Sequence, residues 1–189
     1  MALAKQSYIF SVKQLKIYKL LTDDDLGMTY TTGIEIPQVK KLHFKPNFET
    51  YQCKHNGKTT DQFNELIDGE WALEGNLLDL DVIALLEGDT LTTTGTEGTE
   101  KHSLALESDA EPPYFKIEAK VKYTGKNTTV KDAHFVIPKC IAGGVETNLE
   151  EAQYSSFPVS GKALVPVNGA NSAKLRTIDL YATETALTT

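Results

Sequence analysis

The amino-acid sequence predicts a mainly β fold, a β-sandwich or barrel with one flanking α-helix. Thr, Val, Ile and Tyr residues, which favour strands, occur along the whole chain. Seven prolines and thirteen glycines supply the turns between strands. Helical spacing of apolar residues is convincing in a single stretch. With 189 residues, of which 40% are hydrophobic, the chain can bury one core, so we expect a single domain over residues 1–189.

Strand patterns dominate the N-terminal third of the chain. Aromatic and β-branched residues predict one strand over residues 7–21 and another over residues 34–53. Between these strands, three adjacent carboxylates predict a solvated acidic loop over residues 22–33: Asp23, Asp24 and Asp25.

A protruding β-arm is expected over residues 45–62. Asn56-Gly57, followed by Lys58, is the strongest short signal for a hairpin turn. Both central positions of that turn need positive φ, which Asn and Gly adopt most readily.

A helix is predicted over about residues 76–88. Asn76 is a plausible N-cap, Asp79 suits the positive end of the helix dipole, and Gly88 sits where a left-handed terminating residue belongs. The apolar residues that should pack this helix against a sheet have helical spacing: Leu78, Val82, Leu85 and Leu86.

Residues 89–113 are rich in Thr, Gly and Glu and poor in apolar residues. Such a composition leaves little to bury, so we expect a flexible, exposed insert loop.

The remainder of the chain again has strand patterns. Apolar and charged residues alternate over residues 115–123, which predicts a strand with one buried and one solvated face. A second strand over residues 130–139 would complete a hairpin. Gly143-Gly144 and Ser160-Gly161 are expected to be turns between short strands. These strands are predicted at residues 145–149, 154–159, 162–167 and 174–181.

Negative charge is concentrated in the middle of the sequence. The formal net charge is −7, but residues 61–111 alone contain fourteen acids and one lysine. This distribution argues against a clamp on duplex DNA, which needs Lys and Arg opposite phosphates. It is compatible with a channel that DNA passes without binding.

No catalytic or cofactor motif stands out, so the sequence predicts a protein that is not an enzyme and needs no cofactor. The four histidines are isolated, and Cys53 and Cys140 have no zinc or disulfide spacing. Cys53 and His55 could share a metal, but no second ligand pair accompanies them. No signal core or apolar stretch of membrane length occurs, so we expect a protein without a membrane role, made and used in solution.

The order of these features resembles that of siphophage tail tube proteins, the major tail tube proteins of long, non-contractile-tailed bacteriophages. The features that carry the resemblance are a strand over residues 12–22, the Asp-rich loop, Tyr30, Gly33, a strand over residues 39–44, Glu49-Thr50, Gly69-Glu70, the stretch Asn76-Leu77-Leu78-Asp79-Leu80-Asp81-Val82-Ile83-Ala84-Leu85-Leu86-Glu87-Gly88, Pro113-Tyr114-Phe115-Lys116-Ile117-Glu118-Ala119, and Pro138-Lys139-Cys140.

This resemblance implies a virion protein, made in the host cytoplasm, that assembles into stacked hexameric rings around a bore for ejected DNA. Its implied partners are further copies of itself, the tape measure protein inside the tube, and the tail terminator and distal tail proteins at the ends. The acidic loop, the arm and the insert become candidate contacts between subunits: Asp23, Asp24, Asp25, Asn56, Gly57, Lys58, Thr93, Gly95 and Glu97. The candidate acids of the lumen are Asp61, Glu65 and Asp68, which would either repel DNA or only keep the protein soluble.

Two other functions fit the same architecture. The tube of a phage-like bacteriocin or of a type VI secretion system would differ in cargo rather than in fold. A carbohydrate-binding β-sandwich would need a planar set of exposed aromatic side chains. The one tryptophan, Trp71, is expected to lie in a buried strand.

Overall fold

The computed structural model of the chain describes residues 9–75, 79–123, 132–146, 157–167 and 173–187. Strands form most of the described structure, together with one helix. In chain order the elements are β1 (Ile9–Asp24), β2 (Gly27–Tyr30), β3 (Ile34–Glu35), β4 (Val39–His55), β5 (Lys58–Gly75), α1 (Leu80–Glu87), β6 (Thr92–Thr94), β7 (Lys101–Ser103), β8 (Phe115–Tyr123), β9 (Asp132–Val145), β10 (Phe157–Ala163) and β11 (Thr177–Tyr181).

Nine of these strands form one antiparallel sheet in the order β2-β1-β8-β9-β10-β5-β4. β3 pairs with β1. β11 pairs with β9 along the same edge of that strand as β10. The sheet curls, because residues near both of its ends join one hydrophobic core: Leu15 and Ile17 from β1, and Leu42 and Phe44 from β4. The backbone N–H of Ile36 donates to the carbonyl of Leu15 at 2.9 Å and extends the pairing of β3 with β1. The predicted mainly β fold with one helix is therefore confirmed for the described residues.

The helix covers the core, as its apolar spacing predicts. Val82 and Leu86 are buried in the core, and Leu85 packs against it half-buried. Burying side chains of this kind contributes about 1.5–3 kcal/mol each. Leu78, the fourth predicted packing residue, lies outside the described residues.

The predicted N-terminal boundary of the helix is wrong. The helix begins at Leu80, and its N-cap is Asp79, whose carboxylate accepts from the backbone N–H groups of Asp81 and Val82. Asn76 therefore does not cap it. Asp79, which the sequence assigns to the helix dipole, is the cap, because an aspartate satisfies the free N–H groups of a first turn as well as asparagine does. The C-terminal prediction is confirmed, because Gly88 has φ 81° and ends the helix in the left-handed region.

Strand β8 is not half-solvated as its alternating pattern predicts. Phe115, Ile117 and Ala119 enter the core, but Lys116, Glu118 and Lys120 on the other face are also buried. A second layer, formed in part by the segment after β11, covers those charged side chains. Alternation of apolar and charged residues predicts which side chains pack in the core. It does not predict whether another part of the chain covers the charged face.

Two of the predicted glycine turns lie inside strands. Gly143 and Gly144 belong to β9, and Gly161 lies in the middle of β10. At Gly161 an added Cβ would lie 2.8 Å from the indole ring of Trp71, so the residue is small because the tryptophan occupies that space. Glycine in a strand often marks such a close approach.

Two predicted loops contain more regular structure than expected. β1 runs through Asp24, and a tight turn at Asp25-Leu26 joins it to β2, so the acidic loop is a hairpin. The predicted insert loop contains a two-stranded hairpin, in which Thr92–Thr94 pairs with Lys101–Ser103. Neither segment has the long apolar pattern that would reveal a strand in the sequence.

Candidate assembly surface

The β4–β5 hairpin projects from the body of the protein, and its outer part is here called the arm (residues 48–66). Pairing between the two strands continues from Val39 opposite Gly75 to His55 opposite Lys58. Every side chain from residue 49 to residue 65 is exposed. At the tip Asn56 has φ 51° and Gly57 has φ 77°, which confirms the predicted hairpin turn.

One side of the arm combines aromatic rings with carboxylates. Tyr51 lies opposite Phe63, and their ring centroids are 6.4 Å apart in a stacked arrangement. Glu49 is directly opposite Glu65 one step towards the body, and Asp61 lies one step towards the tip, opposite Cys53. Because side chains of one strand alternate between faces, these six residues share one surface, the arm face.

The arm face has unfavourable features for an isolated hairpin. Phe63 is 63% exposed and Tyr51 is 47% exposed. Like charges directly opposite each other, as in the Glu49 and Glu65 pair, destabilise a hairpin. The Tyr51 hydroxyl donates to Glu49 at 2.8 Å, and this hydrogen bond raises the pKa of the tyrosine. No cation among the described residues pairs with Glu49, Asp61 or Glu65.

The three predicted lumen acids do not share one environment. Asp61 and Glu65 lie on the arm face, but Asp68 lies nearer the body. The carboxylate of Asp68 accepts from Lys162 and from Asn47, each at 2.8 Å, and these hydrogen bonds lower its pKa. Its charge is therefore balanced within the chain.

The predicted contact residues of the acidic segment also differ from one another. The carboxylate of Asp23 pairs with the ammonium of Lys139, and its side chain is only 14% exposed, so it is not solvated as expected. Asp24 accepts from the backbone N–H of Leu26 at 3.0 Å, and Asp25 is exposed in the turn. Leu26 at that turn is 98% exposed.

The predicted contact residues of the insert lie on and beside the β6–β7 hairpin. Thr93 is hydrogen-bonded through its hydroxyl to Nδ1 of His102 at 2.9 Å. Gly95 follows β6 with φ 106°, and Glu97 is exposed in the connecting turn. At the tip of the arm, Asn56, Gly57 and Lys58 are exposed as well. The predicted contacts of the insert and those of the arm tip therefore lie on two separate hairpins.

An apolar groove of about 280 Å³ opens between the two ends of the curled sheet. Its apolar walls come from β1, β4, β8, β9 and β11: Val12, Leu42, Val121, Phe135 and Ile178. Ser11, Lys40 and Lys41 complete the lining. The guanidinium of Arg176 lies 5.9 Å from the ring centroid of Phe135 and adds a third cation near the groove.

A separate cluster of buried charges lies on the opposite face of β8 and β9. The ammonium of Lys120 is 2.6 Å from Oδ2 of Asp132, and both side chains are less than 10% exposed. Lys120 also donates to the carbonyl of Thr185 at 2.9 Å, and the N–H of Thr185 donates to Asp132 at 3.0 Å. His134 lies in the same cluster, 3.6 Å from Glu118. These bonds fix the segment after β11 to the sheet.

The charge state of Asp132 reflects this environment. Burial favours the neutral carboxyl most strongly, but the hydrogen bonds from Lys120 and Thr185, with the nearby positive charges, outweigh it and lower the pKa of Asp132. The cluster therefore has matched charges, and it holds the segment after β11 against the sheet.

The described residues contain neither a metal-ligating cluster nor a helix of membrane-spanning length. Within those residues no group of three or more His, Cys, Asp or Glu side chains could hold a metal ion. None of the described helical structure is long and apolar enough to cross a membrane.

Sequence reasoning missed the aromatic residues as candidate contacts. Tyr51 and Phe63 are exposed on the arm face, and Phe48 and Ile67 at the base of the hairpin are 59% and 47% exposed. The turn at Asn56-Gly57 was the available signal, but counting outwards from it places Tyr51 opposite Gln62. A register shift between Cys53 and Lys54 moves Tyr51 opposite Phe63, and nothing in the sequence indicates that shift. The groove had no such signal, because its residues come from five strands.

Comparison with known proteins does not assign the chain to a group, since no family model matches it and no curated protein is a significant match.

Proposed function

We propose that this chain is a self-assembling structural subunit of the siphophage tail tube type, which forms stacked rings around a bore for phage DNA. The proposal joins the sequence resemblance to the shape of the molecule. A compact β-body with a long hairpin arm is suited to holding neighbouring copies in a repeating assembly.

The observation that carries the proposal is the arm. Phe48, Tyr51, Phe63 and Ile67 are large apolar side chains that remain exposed on one hairpin. Apolar patches on protruding elements mark interaction sites, because covering them releases about 25 cal/mol per Å². A two-stranded ribbon is also marginally stable by itself, so a neighbour that covers the arm would stabilise it.

The sheet edges support the same function. β4 pairs with β5 on one side, and among the described strands nothing pairs with its other side. A long open edge can pair with another chain, and a closed ring of subunits satisfies such edges without uncontrolled growth. Pro46 within β4 is tolerated because that strand is at the edge.

The proposed cellular role follows from the same resemblance. The subunit would act in the virion tail, with the tape measure protein within the bore and the terminator and distal tail proteins at its ends. A bacteriocin or type VI secretion tube would need the same subunit contacts and a different cargo.

Negative-stain electron microscopy of the purified, concentrated chain tests this function. We expect rings or hollow tubes. Replacing both Tyr51 and Phe63 by Ser should raise the protein concentration needed for assembly by about tenfold or more, since losing two aromatic contacts removes more than 1.4 kcal/mol per interface. The monomer should unfold at an unchanged temperature.

The matched control is Val167→Ser, which removes an apolar side chain that is 76% exposed and lies outside the arm. This variant should assemble like the wild type. A wild-type protein that stays monomeric at high concentration, in the presence of a tail terminator, would contradict the proposal.

Carbohydrate binding is the second candidate, and one observation favours it. Tyr51 and Phe63 are neighbouring exposed aromatic rings with an interplanar angle of 29°, and exposed aromatic rings are the side chains against which a sugar packs. Trp71 cannot contribute, because it is only 2% exposed and its indole N–H donates to the carbonyl of Lys162. Binding of the monomer on a glycan array, lost in the Tyr51→Ser and Phe63→Ser double variant, would establish this function instead.

A further inference from the structure

The arm face and the apolar groove have complementary charges. Glu49, Asp61 and Glu65 surround the two rings of the arm face, and no described cation pairs with them. Lys40 and Lys41 flank the groove and are exposed, and neither forms an ion pair with a described residue. The arm face therefore carries unbalanced negative charge, and the groove carries unbalanced positive charge.

The two surfaces also match in shape and polarity. The groove has an apolar floor and a volume of about 280 Å³. Pockets for small molecules usually measure about 300–1,000 Å³, so this groove suits an inserted side chain better than a free ligand. Phe63 and Tyr51 are exposed rings that project from a narrow ribbon. An aromatic side chain in an apolar pocket, with opposite charges at the rim, is the usual composition of a strong protein contact.

A chain cannot fill its own groove with its own arm face. Leu42 lines the groove and Tyr51 lies on the arm, nine positions further along the same continuous strand β4. At roughly 3.3 Å per residue the two points are about 30 Å apart. The arm face must therefore meet the groove of another copy.

We infer that the arm face of one subunit docks into the Lys40–Lys41 groove of the next subunit, with Phe63 and Tyr51 against the apolar floor and Glu49 and Glu65 near the lysines. This inference rests on the proposed function and specifies one of its contacts. The contact joins two different surfaces, so it is heterologous, and repetition of a heterologous contact builds rings or open filaments.

A charge exchange tests the pairing. One variant carries Glu49→Lys and Glu65→Lys on the arm, and the other carries Lys40→Glu and Lys41→Glu at the groove. Each variant alone presents like charges at every contact, so its assembly concentration should rise by about tenfold or more. An equimolar mixture should assemble at the wild-type concentration, because each arm then meets a groove of opposite charge.

The outcomes separate the two proposals. If the wild type assembles and either variant alone assembles equally well, or the mixture remains monomeric, the arm does not dock in this groove, and the proposed function stands without it. A groove occupied by another protein or another segment would give that result. If the wild type does not assemble, the proposed function fails and the contact fails with it.

A cross-link provides a second test that leaves every charge in place. Cys53 is an exposed thiol on the arm face, and Cys140 is fully buried. Ser11→Cys places a second thiol at the groove, and mild oxidation should then give a ladder of covalent multimers on a non-reducing gel. Thr94→Cys, on the exposed β6–β7 hairpin, is the control and should not. Absence of the ladder from oxidised assemblies of the Ser11→Cys chain, or an equal ladder from the control, would overturn the docking.

Discussion

Strand β8 and the arm both carry charged side chains on antiparallel strands, but their environments are opposite. In β8, Lys116, Glu118 and Lys120 alternate with apolar residues and are buried. In the arm, Glu49, Tyr51 and Phe63 lie together on one face, and all are exposed. The charges of β8 have partners within the chain: the ammonium of Lys116 lies 3.1 Å from Glu118 and 3.8 Å from the ring centroid of Tyr18.

This difference shows that a chain can satisfy one charged surface internally and leave another for its neighbours. The body completes the polar face of β8 with Asp132, His134 and the segment after β11. Nothing described in the chain completes the arm face. We therefore expect changes in β8 to alter the stability of the monomer, and changes in the arm to alter assembly.

The largest effect on stability is expected from breaking the Lys120–Asp132 pair. Lys120→Met leaves the Asp132 carboxylate buried without its cation, and removing one partner of a buried ion pair costs about 3–5 kcal/mol. Urea unfolding of the monomer measures the loss. Adding Asp132→Leu to this variant should recover most of it, because a buried pair can be replaced by apolar residues at little cost.

The control for that experiment is Lys13→Met. Lys13 pairs with Glu184 at 2.8 Å, but both side chains are more than half exposed, so we expect little change. Equal losses from Lys13→Met and Lys120→Met would contradict the distinction between the buried and exposed surfaces.

A smaller effect is expected from adding one methyl group at a glycine of the body. In Gly161→Ala the new Cβ would lie against the Trp71 ring and the carbonyl of Ile141, and crowding of this kind costs about 1–3 kcal/mol. The loss should appear in global unfolding, followed by tryptophan fluorescence.

Gly57→Ala is the matched change in the arm. An added Cβ there has open space around it, but φ is +77°, which costs an alanine about 1–2 kcal/mol of strain. We expect faster amide exchange in the arm and no change in the unfolding of the body. A shift in global stability as large as that of Gly161→Ala would show that the arm and body unfold as one unit.

The smallest effect is expected from pH. The folded pKa of Asp132 lies below its ordinary value of 3.8, so the unfolded chain binds the proton more readily. Its contribution to stability is therefore present above about pH 4 and is lost as the pH falls through the lower folded pKa. Unfolding of Asp132→Asn should depend less on pH in that acidic range, and an unchanged pH dependence would contradict the assignment.

Several elements could be predicted from the sequence because their causes are local. The Asn56-Gly57 turn, the left-handed Gly88 and the spacing of Val82 and Leu86 each depend on a few adjacent residues. The candidate contacts of the arm tip follow from that turn. The places of Asp61 and Glu65 opposite Cys53 and Glu49 do not, because a register shift between Cys53 and Lys54 changes which residues lie opposite one another. Whether they contact neighbouring subunits remains a prediction.

Other features depend on residues distant in sequence and could not be predicted. Gly161 is expected to be a turn until the Trp71 ring is placed beside it. Asp23 is expected to be solvated until Lys139, 116 positions away, pairs with it. The groove between Val12, Leu42 and Ile178 exists only because the sheet curls and brings β1, β4 and β11 together.

The sequence by itself therefore determined the mainly β class, the helix core and the position of the arm, because strand propensity, helical spacing and turn residues act over a few neighbours. The tertiary structure alone decided which alternating strand is covered on both faces and which remains open. Coverage depends on contacts between distant segments, and no local pattern in the chain records those contacts.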